Sequence, residues 1–499
     1  MKAFCVIYVM KAYRNLLGVL LAVLALQACS DDDSFSSSPG QYLEFSADTI
    51  RLDTCFSTVP TPMKSFWVYN RSGDGIRLES IRLERGNQSG FRVNVDGVYL
   101  GAQTGYQTNQ IEVRNKDSVR VFVELTSMLN YQTTLTKLED NIVFTLENGN
   151  IQKVNLLTYT WDATLLYNTR VRGDSTIDSS RPVVIYGGLR VDSLATLTIA
   201  AGTTLYFHND AGIDVYGRLI AAGTAESNVV LRGDRIDHMF DYLPYDRVSG
   251  QWQGIRFHES SYENHLLYTD IHSTYDGIVV DSSDVDRQKL LIESSTIHNC
   301  QGYGLVSANS KIGIRNTQIT NTLNDCLAVF GGNTEINHCT LAQFYPFDAN
   351  RGVALRFTST KYPLQNFNCS NTLVTGYADD QLMGELGDEE DTPRYYFDHC
   401  IIRTPRIETV DSIYFNEVVY ENTEDTTSMG RKHFAVFDTE NLFYDFQLDS
   451  VSIAIDKADP ENSLPLDRNG NMRDTKPDVG AYEYRKKGTI EPQKTNLKY

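Results

Sequence analysis

The strongest pattern along the chain is a six-residue motif in which two apolar positions enclose a short polar stretch. It reads apolar-x-polar-small-x-apolar, and successive copies lie between 22 and 33 residues apart. The copies are LLYTDI at 266–271, IESSTI at 292–297, IRNTQI at 314–319, INHCTL at 336–341, CSNTLV at 369–374 and FDHCII at 397–402. A minimum period near 22 residues with variable excess predicts a coil of short strands whose connecting loops change in length.

The polar centre of the motif predicts the geometry of each coil. A tight bend between two strands favours a short polar residue that tolerates left-handed backbone angles, while a strand that turns back into the core needs a small side chain. The third motif position holds Tyr268, Ser294, Asn316, His338, Asn371 and His399. The fourth holds Thr269, Ser295, Thr317, Cys339, Thr372 and Cys400. We therefore predict a right-handed parallel β-helix with a stack of bends and a stack of small core residues.

The chain before the coil has a different pattern. From 42 to 159, runs that alternate apolar and polar residues are separated by turn clusters at short intervals, which is typical of a β-sandwich. The stretch FWVYNRSGDGIRLESIRL, followed by SGFRVNVDG, resembles Ig-like modules at the start of Bacteroidetes surface lipoproteins. We predict an Ig-like β-sandwich at 41–160, a linker at 161–180, the β-helix with a C-terminal cap at 181–484, and a tail at 485–499.

Three segments of the coil region carry a family resemblance. They are VIYGGLRVDSLATLTIAAGTTLYF at 184–207, QWQGI at 251–255 and LDRNGNMRDTKPDVGAYEY at 466–484. They resemble the right-handed β-helix repeat proteins that Bacteroidetes export, within the pectate-lyase-like superfamily. The resemblance implies a fold more than an activity. Enzymes of that superfamily use an arginine or lysine base with aspartates that hold calcium, and the sequence offers only the single arginines Arg256 and Arg315 without such aspartates.

The first forty residues are typical of an export signal. A positive stretch with Lys11 and Arg14 precedes an apolar run at 16–26, about half the length of a membrane-spanning helix. The run ends in Leu-Gln-Ala-Cys29, which resembles the lipobox of bacterial lipoproteins and implies lipid attachment at Cys29. We predict a signal peptide at 1–28, with Met10 as the true start, and an acidic, serine-rich tether at 29–40.

The tether also indicates where the protein is placed. Ser30 and the acids at 31–33 resemble the export tag of Bacteroidetes lipoproteins that reach the cell surface. We therefore predict an outer-membrane protein, anchored by lipid and facing the cell exterior.

Charge restricts the partners. The whole chain carries −19, and removal of Lys2, Lys11 and Arg14 with the signal brings it to −22. Such a charge repels nucleic acid and makes anionic polysaccharides difficult ligands. We expect the lipid anchor to bind the membrane and a polysaccharide to be a possible further partner, with no nucleic acid and no cofactor. The oligomeric state is left open.

The cysteines and histidines of the coil first suggest metal or disulfide chemistry. The pairs His338-Cys339 and His399-Cys400 are two coils apart, so equivalent atoms would lie about 9–10 Å from each other. That distance excludes a shared zinc ion and a Cys339–Cys400 disulfide. A Cys339–Cys369 pair is left open, and we predict no metal site.

Acidic residues are the other candidate chemistry, because glycosidases use paired carboxylates. Asp379, Asp380, Glu385 and the run at 388–391 cluster in one excursion, which we interpret as a solvated loop. The stretch from Asp467 to Arg473 looks like a calcium loop but lacks the glutamate that such loops place at the twelfth position. We interpret it as a structural turn that closes the coil.

The sequence thus favours a binding or structural role over catalysis, and we predict no catalytic residue. Tyr345, Tyr395 and Tyr396 lie in or beside loops and are our candidates for stacking on sugar rings. We expect a glycan-binding, adhesive or structural surface protein. The alternative is a polysaccharide lyase or glycoside hydrolase that uses the acidic excursion.

Overall fold

A computed structural model describes residues 34–178, 181–387, 394–425, 427–428 and 430–486. The predicted signal peptide, Cys29, the acids at 31–33 and the run at 388–391 lie outside the described residues. The described chain is built from β-strands and four short 3-10 turns, and it separates into two compact units near Trp161. No described helix is long and apolar enough to span a membrane.

The first unit is the predicted β-sandwich. One sheet is antiparallel and has the strand order Glu44–Phe45, Lys64–Tyr69, Ser118–Leu125, Phe91–Val95 and Val98–Leu100. The other has the order Thr49–Arg51, Ile151–Trp161, Thr136–Leu146, Ile76–Leu83 and Gln107–Val113, and Cys55–Phe56 also pairs with its second strand. A 3-10 turn, Ala102–Thr104, follows the last strand of the first sheet. Alternate residues of both sheets point inward, so Phe66, Val121, Phe144 and Leu156 form one core.

The second unit is a coil of three parallel sheets, which confirms the predicted β-helix. Sheet 1 contains Ile213–Val215, Ile255–Phe257, Ile278–Val280, Leu355–Thr358 and Leu382–Glu385. Sheet 2 contains Ser175–Ile177, Thr196–Ala200, Arg218–Ala222, Asn264–Leu267, Gln288–Glu293, Leu364–Ser370, Tyr395–Asp398 and Phe415–Asn416. Sheet 3 contains Thr204–Phe207, Val229–Gly233, Thr269–His272, Thr296–Cys300, Gln318–Thr322, Thr340–Gln343, Leu373–Gly376, Ile401–Ile402 and Val419–Tyr420.

Four longer strands belong to two sheets each. Thr164–Val171 and Val183–Val191 pass from sheet 3 into sheet 1, and Leu305–Arg315 and Leu327–Asn337 pass from sheet 1 into sheet 2. The pairing of Thr164–Val171 and Ser175–Ile177 with later strands makes them the first coil. The predicted linker at 161–180 is therefore wrong for 164–177, because these residues bury apolar side chains such as Val171 against the coil.

The corner between sheets 2 and 3 follows the predicted motif. All six residues at the third motif position have positive φ, between 42° and 52°. All six at the fourth position are fully buried, at 0% exposure. The bend stack and the core stack are thus confirmed, and the apolar motif positions, such as Ile292, Ile314 and Phe397, fill the interior.

The C-terminal segment after the last coil packs against the side of the coil. It contains the 3-10 turn Arg431–His433 and the hairpin Phe434–Asp438 and Phe443–Leu448. Its apolar residues, including Phe446 and Ala481, cover outward residues of sheet 3, including Ala342 and Leu373. The predicted closure of the coil end is thus wrong, because this segment covers the outer face of sheet 3.

Two excursions complete the coil. A small hairpin, His238–Phe240 and Leu243–Pro244, and the 3-10 turn Tyr245–Arg247 lie between Val229–Gly233 and Ile255–Phe257. The 3-10 turn Val410–Tyr414 precedes the last strand of sheet 2.

Candidate functional site

The outer face of sheet 2 carries a ladder of polar side chains. Because parallel strands pair in register, equivalent outward positions of successive coils form columns along the face. One column contains Glu293, Arg315, Asn337, Ser370, Asp398 and Asn416. The adjacent column contains Glu335, Asn368 and Tyr396. Sheet 2 therefore presents hydrogen-bonding groups at each coil.

A groove runs over this ladder. It has a volume of about 640 Å³, and its second wall is the C-terminal segment at 461–464. The wall is fixed to the ladder and to the bend stack: Asn337 Nδ2 donates to the carbonyl oxygen of Asn462 over 2.9 Å, and His338 Nε2 lies 2.9 Å from Ser463 Oγ. Both sides of the groove are thus held by the fold, which lowers the cost of ordering them around a ligand.

The charges in the groove are mixed. Arg315 Nη1 lies 3.5 Å from Glu293 Oε1, and Asp398 Oδ1 accepts from Asn416 Nδ2 over 2.7 Å. His399 Nδ1 lies 3.0 Å from the same oxygen of Asp398. Glu335 also lines the groove and is exposed. These groups offer both donors and acceptors without a concentration of positive charge.

The three predicted sugar-contacting tyrosines have different environments. Tyr396 is 40% exposed and lines the groove. Tyr395 is 7% exposed and packs inside the coil near Phe357 and Phe397. Tyr345 is 4% exposed, and its hydroxyl lies 2.8 Å from Ser249 Oγ. Tyr345 and Tyr395 are therefore wrong as sugar contacts, because their rings are buried.

The described acids of the excursion make contacts within the fold. Asp379 Oδ1 lies 3.2 Å from Arg403 Nη2, and Thr404 Oγ1 donates to Asp380 Oδ1 over 2.7 Å. Glu385 ends a strand of sheet 1. Asp379 and Asp380 thus help to hold the loop.

Arg256 also has a structural partner. Its guanidinium forms two hydrogen bonds with Asp281, of 2.9 and 3.1 Å, and these raise the pKa of Arg256. It is thus held in an ion pair on sheet 1, while Arg315 lies in the groove of sheet 2.

Asp467 organises the turn in which it lies. Its carboxylate accepts from the backbone N–H groups of Asn469, Asn471 and Glu483 over 2.8–3.1 Å. Arg468 extends from this turn to Thr296 Oγ1, 3.0 Å away. The turn is structural, as predicted, but it fastens the C-terminal segment to the side of the coil.

The six described cysteines are free and buried. Cys339 and Cys369, the pair that the sequence left open, therefore form no disulfide here. Cys369 Sγ lies 3.9 Å from Cys400 Sγ. Burial raises the pKa of the Cys339 thiol to about 12, which keeps it protonated and unreactive. The cysteines of the coil act as core residues.

A cluster on sheet 3 was missed by the sequence analysis. Asp246, Asp270, His272 and His298 lie together there. Burial alone would lower the pKa of His272, but the carboxylates of Asp246 and Asp270 raise it to about 9. The signal was present in the motif, because the copies at 266–271 and 292–297 are each followed directly by a histidine.

Comparison with known proteins supports the fold. A family model for the right-handed beta helix region matches residues 172–341. No curated protein matches the sequence.

Several solved structures share limited similarity with the chain. Pectate lyase Pel9A has 10% identity and a TM-score of 0.28, with 65% of this chain and 97% of that chain covered. The catalytic unit of a GH87 α-1,3-glucanase from Streptomyces thermodiastaticus has 8% identity and a TM-score of 0.25, covering 68% and 79%. A family 123 glycoside hydrolase from Clostridium perfringens has 4% identity and a TM-score of 0.17, covering 26% of this chain and 30% of its own.

These scores are too low to carry an argument about activity, and the chain spans less than a third of the glycoside hydrolase. The family match and the strand register together identify residues 172–341 as a region of right-handed parallel β-helix.

Proposed function

We propose that this protein is a lipid-anchored surface protein whose β-helix binds an extended, uncharged polysaccharide in the groove of sheet 2. One observation carries the binding proposal: Tyr396 is exposed within a groove whose floor is a ladder of polar side chains and whose wall is fixed.

The chemistry of the groove suits sugars. An amide side chain such as that of Asn368 both donates and accepts, which matches the hydroxyl groups of a sugar ring. The ring of Tyr396 supplies an apolar face and a polar end. Because strands repeat about every 4.8 Å, a polymer along the coil axis meets a polar group at each coil.

Charge favours a neutral polymer. Glu335, Asp398 and Glu461 line the groove, and Arg315 is its lining cation. A polymer of uronic acids would therefore meet net repulsion from the groove and from a chain of charge −19.

A binding experiment tests the groove. The mature chain with Cys29→Ser is run through gels that contain neutral or acidic polysaccharides, and retardation gives the affinity. We expect retardation by at least one neutral polymer and a loss of about tenfold or more in affinity for Tyr396→Ala, as for other well-packed aromatic contacts. Tyr275→Ala is the matched control, since Tyr275 is 50% exposed outside the groove.

Two results would contradict the binding proposal. One is equal affinity of Tyr396→Ala and the unsubstituted chain, and the other is no retardation by any neutral polymer. Release of reducing or unsaturated ends in the same mixtures would show catalysis and overturn the non-catalytic role.

The anchor is proposed from the sequence around Cys29 alone. In the native host, the unsubstituted protein should fractionate with the outer membrane, and Cys29→Ser should be released from it. Digestion of the protein by a protease added to intact cells supports a surface position. Protection until the cells are broken would place the protein on the inner side.

A further inference from the structure

The cluster on sheet 3 is assembled from two neighbouring coils and one excursion. Asp270 and His272 lie on the strand Thr269–His272, and His298 lies on Thr296–Cys300. These strands pair in parallel, with His272 beside His298. The 3-10 turn Tyr245–Arg247 brings in Asp246. Two histidines and two carboxylates thus meet at one place on the outer face.

The donor atoms of the cluster lie close enough together to surround one metal ion. His272 Nδ1 lies 2.8 Å from Asp270 Oδ1, and His298 Nε2 lies 3.2 Å from the same oxygen. One donor atom from each of the three residues lies within 4.8 Å of the others. Ligands about 2.0–2.2 Å from a tetrahedral ion are separated by roughly 3.3–3.6 Å, so small side-chain adjustments bring them into position. We propose that Asp270, His272 and His298 bind a divalent transition-metal ion.

A second observation supports this site independently of those distances. A histidine that binds a metal through one ring nitrogen commonly donates from the other nitrogen to a carboxylate, which fixes the orientation of the ring. His272 has this arrangement, since its Nε2 lies 2.7 Å from Asp246 Oδ1. Arg232 Nη1 lies 2.8 Å from the same oxygen and holds that carboxylate in place. Nδ1 of His272 is thereby directed towards Asp270, and a metal ion bound between them would displace the proton that Nδ1 shares with Asp270 in the metal-free cluster.

The exposure of the three side chains leaves an open position. The side chain of His272 is 7% exposed, while those of His298 and Asp270 are 25% and 31% exposed. Three protein ligands with one side towards solvent match sites in which water completes the coordination. Two imidazoles with one carboxylate favour zinc and its neighbours over calcium or magnesium, which prefer oxygen ligands alone.

Zinc titration tests the site, and its result is independent of the groove because the cluster lies on another sheet. The mature chain with Cys29→Ser is freed of metal with a chelator and titrated with ZnCl₂ by calorimetry. We expect one zinc ion per chain and a loss of affinity of about tenfold or more in His298→Ala, which removes a ligand. In the cobalt form, the visible bands of a tetrahedral site should appear and be lost in the same variant.

Two matched variants make the result specific. His265→Ala removes a histidine of similar exposure that pairs with Glu293 on sheet 2, and it should bind zinc normally. His399→Ala should also bind normally, although His399 lies with Asp398 and Asp459 in a second group of potential ligands. His298→Gln, which retains a polar side chain but no imidazole, guards against loss of binding through misfolding.

Three outcomes would overturn the site. They are no stoichiometric zinc binding, unchanged affinity in both His298 variants, and loss of binding in His399→Ala while His298→Ala binds normally. Far-UV circular dichroism that matches the unsubstituted chain is required of each variant.

Discussion

Sheets 2 and 3 are built from the same coils, yet their outer faces differ. Outward positions of sheet 2 carry Arg315, Asn337, Ser370 and Tyr396, and they line a groove. The outward residues Ala342, Leu373 and Ile401 of sheet 3 are fully buried under the C-terminal segment. The inward residues beneath sheets 2 and 3 are alike, so only the outward residues distinguish a face that is open from a face that is covered.

This difference shows that the outward residues of a coil follow a pattern of their own, which depends on what lies over each sheet. A β-helix coil needs apolar inward residues whatever its surroundings, but an apolar outward residue needs a second layer. On the later coils of sheet 3, from Ala342 to Ile401, that layer comes from later in the same chain, and on sheet 2 the face is available for a ligand. Substitutions at three places test this comparison. They are the buried outer face of sheet 3, the contact between the C-terminal segment and the coil, and the corner between sheets 2 and 3.

The largest effect is expected at the covered face. Phe344 is fully buried and packs against Phe434, Phe437 and Phe446 of the C-terminal segment. Phe344→Ala should lower the free energy of unfolding by ~3–5 kcal/mol, because it removes apolar contacts and leaves a cavity. Tyr396→Ala, on the open face, is the control and should change it by less than ~0.5 kcal/mol. Urea denaturation measures both, and equal losses would remove the distinction between the faces.

An intermediate effect is expected where the C-terminal segment joins the coil. Glu421 Oε1 lies 3.1 Å from His433 Nε2, and Glu421 Oε2 lies 3.7 Å from Arg403 Nη1, with all three side chains buried. Burial opposes ionisation of Glu421, but the hydrogen bond and charge of His433 outweigh it and lower the pKa. Glu421→Gln should therefore lower the free energy of unfolding by ~1.5–3 kcal/mol at neutral pH.

The lowered pKa also gives the sign of a pH effect. Ionised Glu421 stabilises the fold fully above its unfolded pKa of about 4.3, and this contribution is lost as the pH falls through the folded pKa. The difference between the unsubstituted chain and Glu421→Gln should thus shrink below pH 4. A difference that stays constant down to pH 3 would show that the carboxylate charge is not the cause.

The smallest effect is expected at the corner between the sheets. Ser294 has φ of 47°, a left-handed value that costs an L-residue about 1–2 kcal/mol and glycine little. Glycine loses more conformational entropy on folding than serine, which offsets part of this gain. Ser294→Gly should therefore raise the free energy of unfolding by ~0.5–1 kcal/mol. Ser295→Gly should lower it, because Ser295 Oγ accepts from the N–H of Thr269 over 3.0 Å. Urea denaturation of both variants gives the signs, and a loss in both would contradict the role of the bend.

The interior of the coil could be predicted from the sequence. The motif predicted both the inward residues and the left-handed corner, because both depend on local backbone sterics and on neighbouring coils. The sequence also distinguishes the two tyrosines. Because Phe397 points inward, the alternation of a β-strand places Tyr395 inward and Tyr396 outward, so only Tyr396 can contact a ligand.

Other features depend on residues far apart in the chain. The burial of Tyr345 depends on Ser249, which is 96 residues away, and the covering of sheet 3 depends on residues beyond 430. Asp246 reaches His272 through an excursion whose path no local pattern specifies. The first coil at 164–177 lacks the six-residue motif of later coils, so that motif could not predict its strands.

The C-terminal segment has a consequence for how the coil unfolds. In a simple solenoid each repeat contacts only its neighbours, so an end can fray while the rest remains folded. Here Arg468 binds Asn228 and Thr296, Tyr482 donates to Gln318, and Gly480 donates to Asn371. Residues 468–482 of the C-terminal segment thus contact coil residues from 228 to 371, which are more than 140 positions apart in the chain. The C-terminal segment therefore links distant coils, so that they unfold together. This cooperative unfolding requires the C-terminal segment itself to be folded.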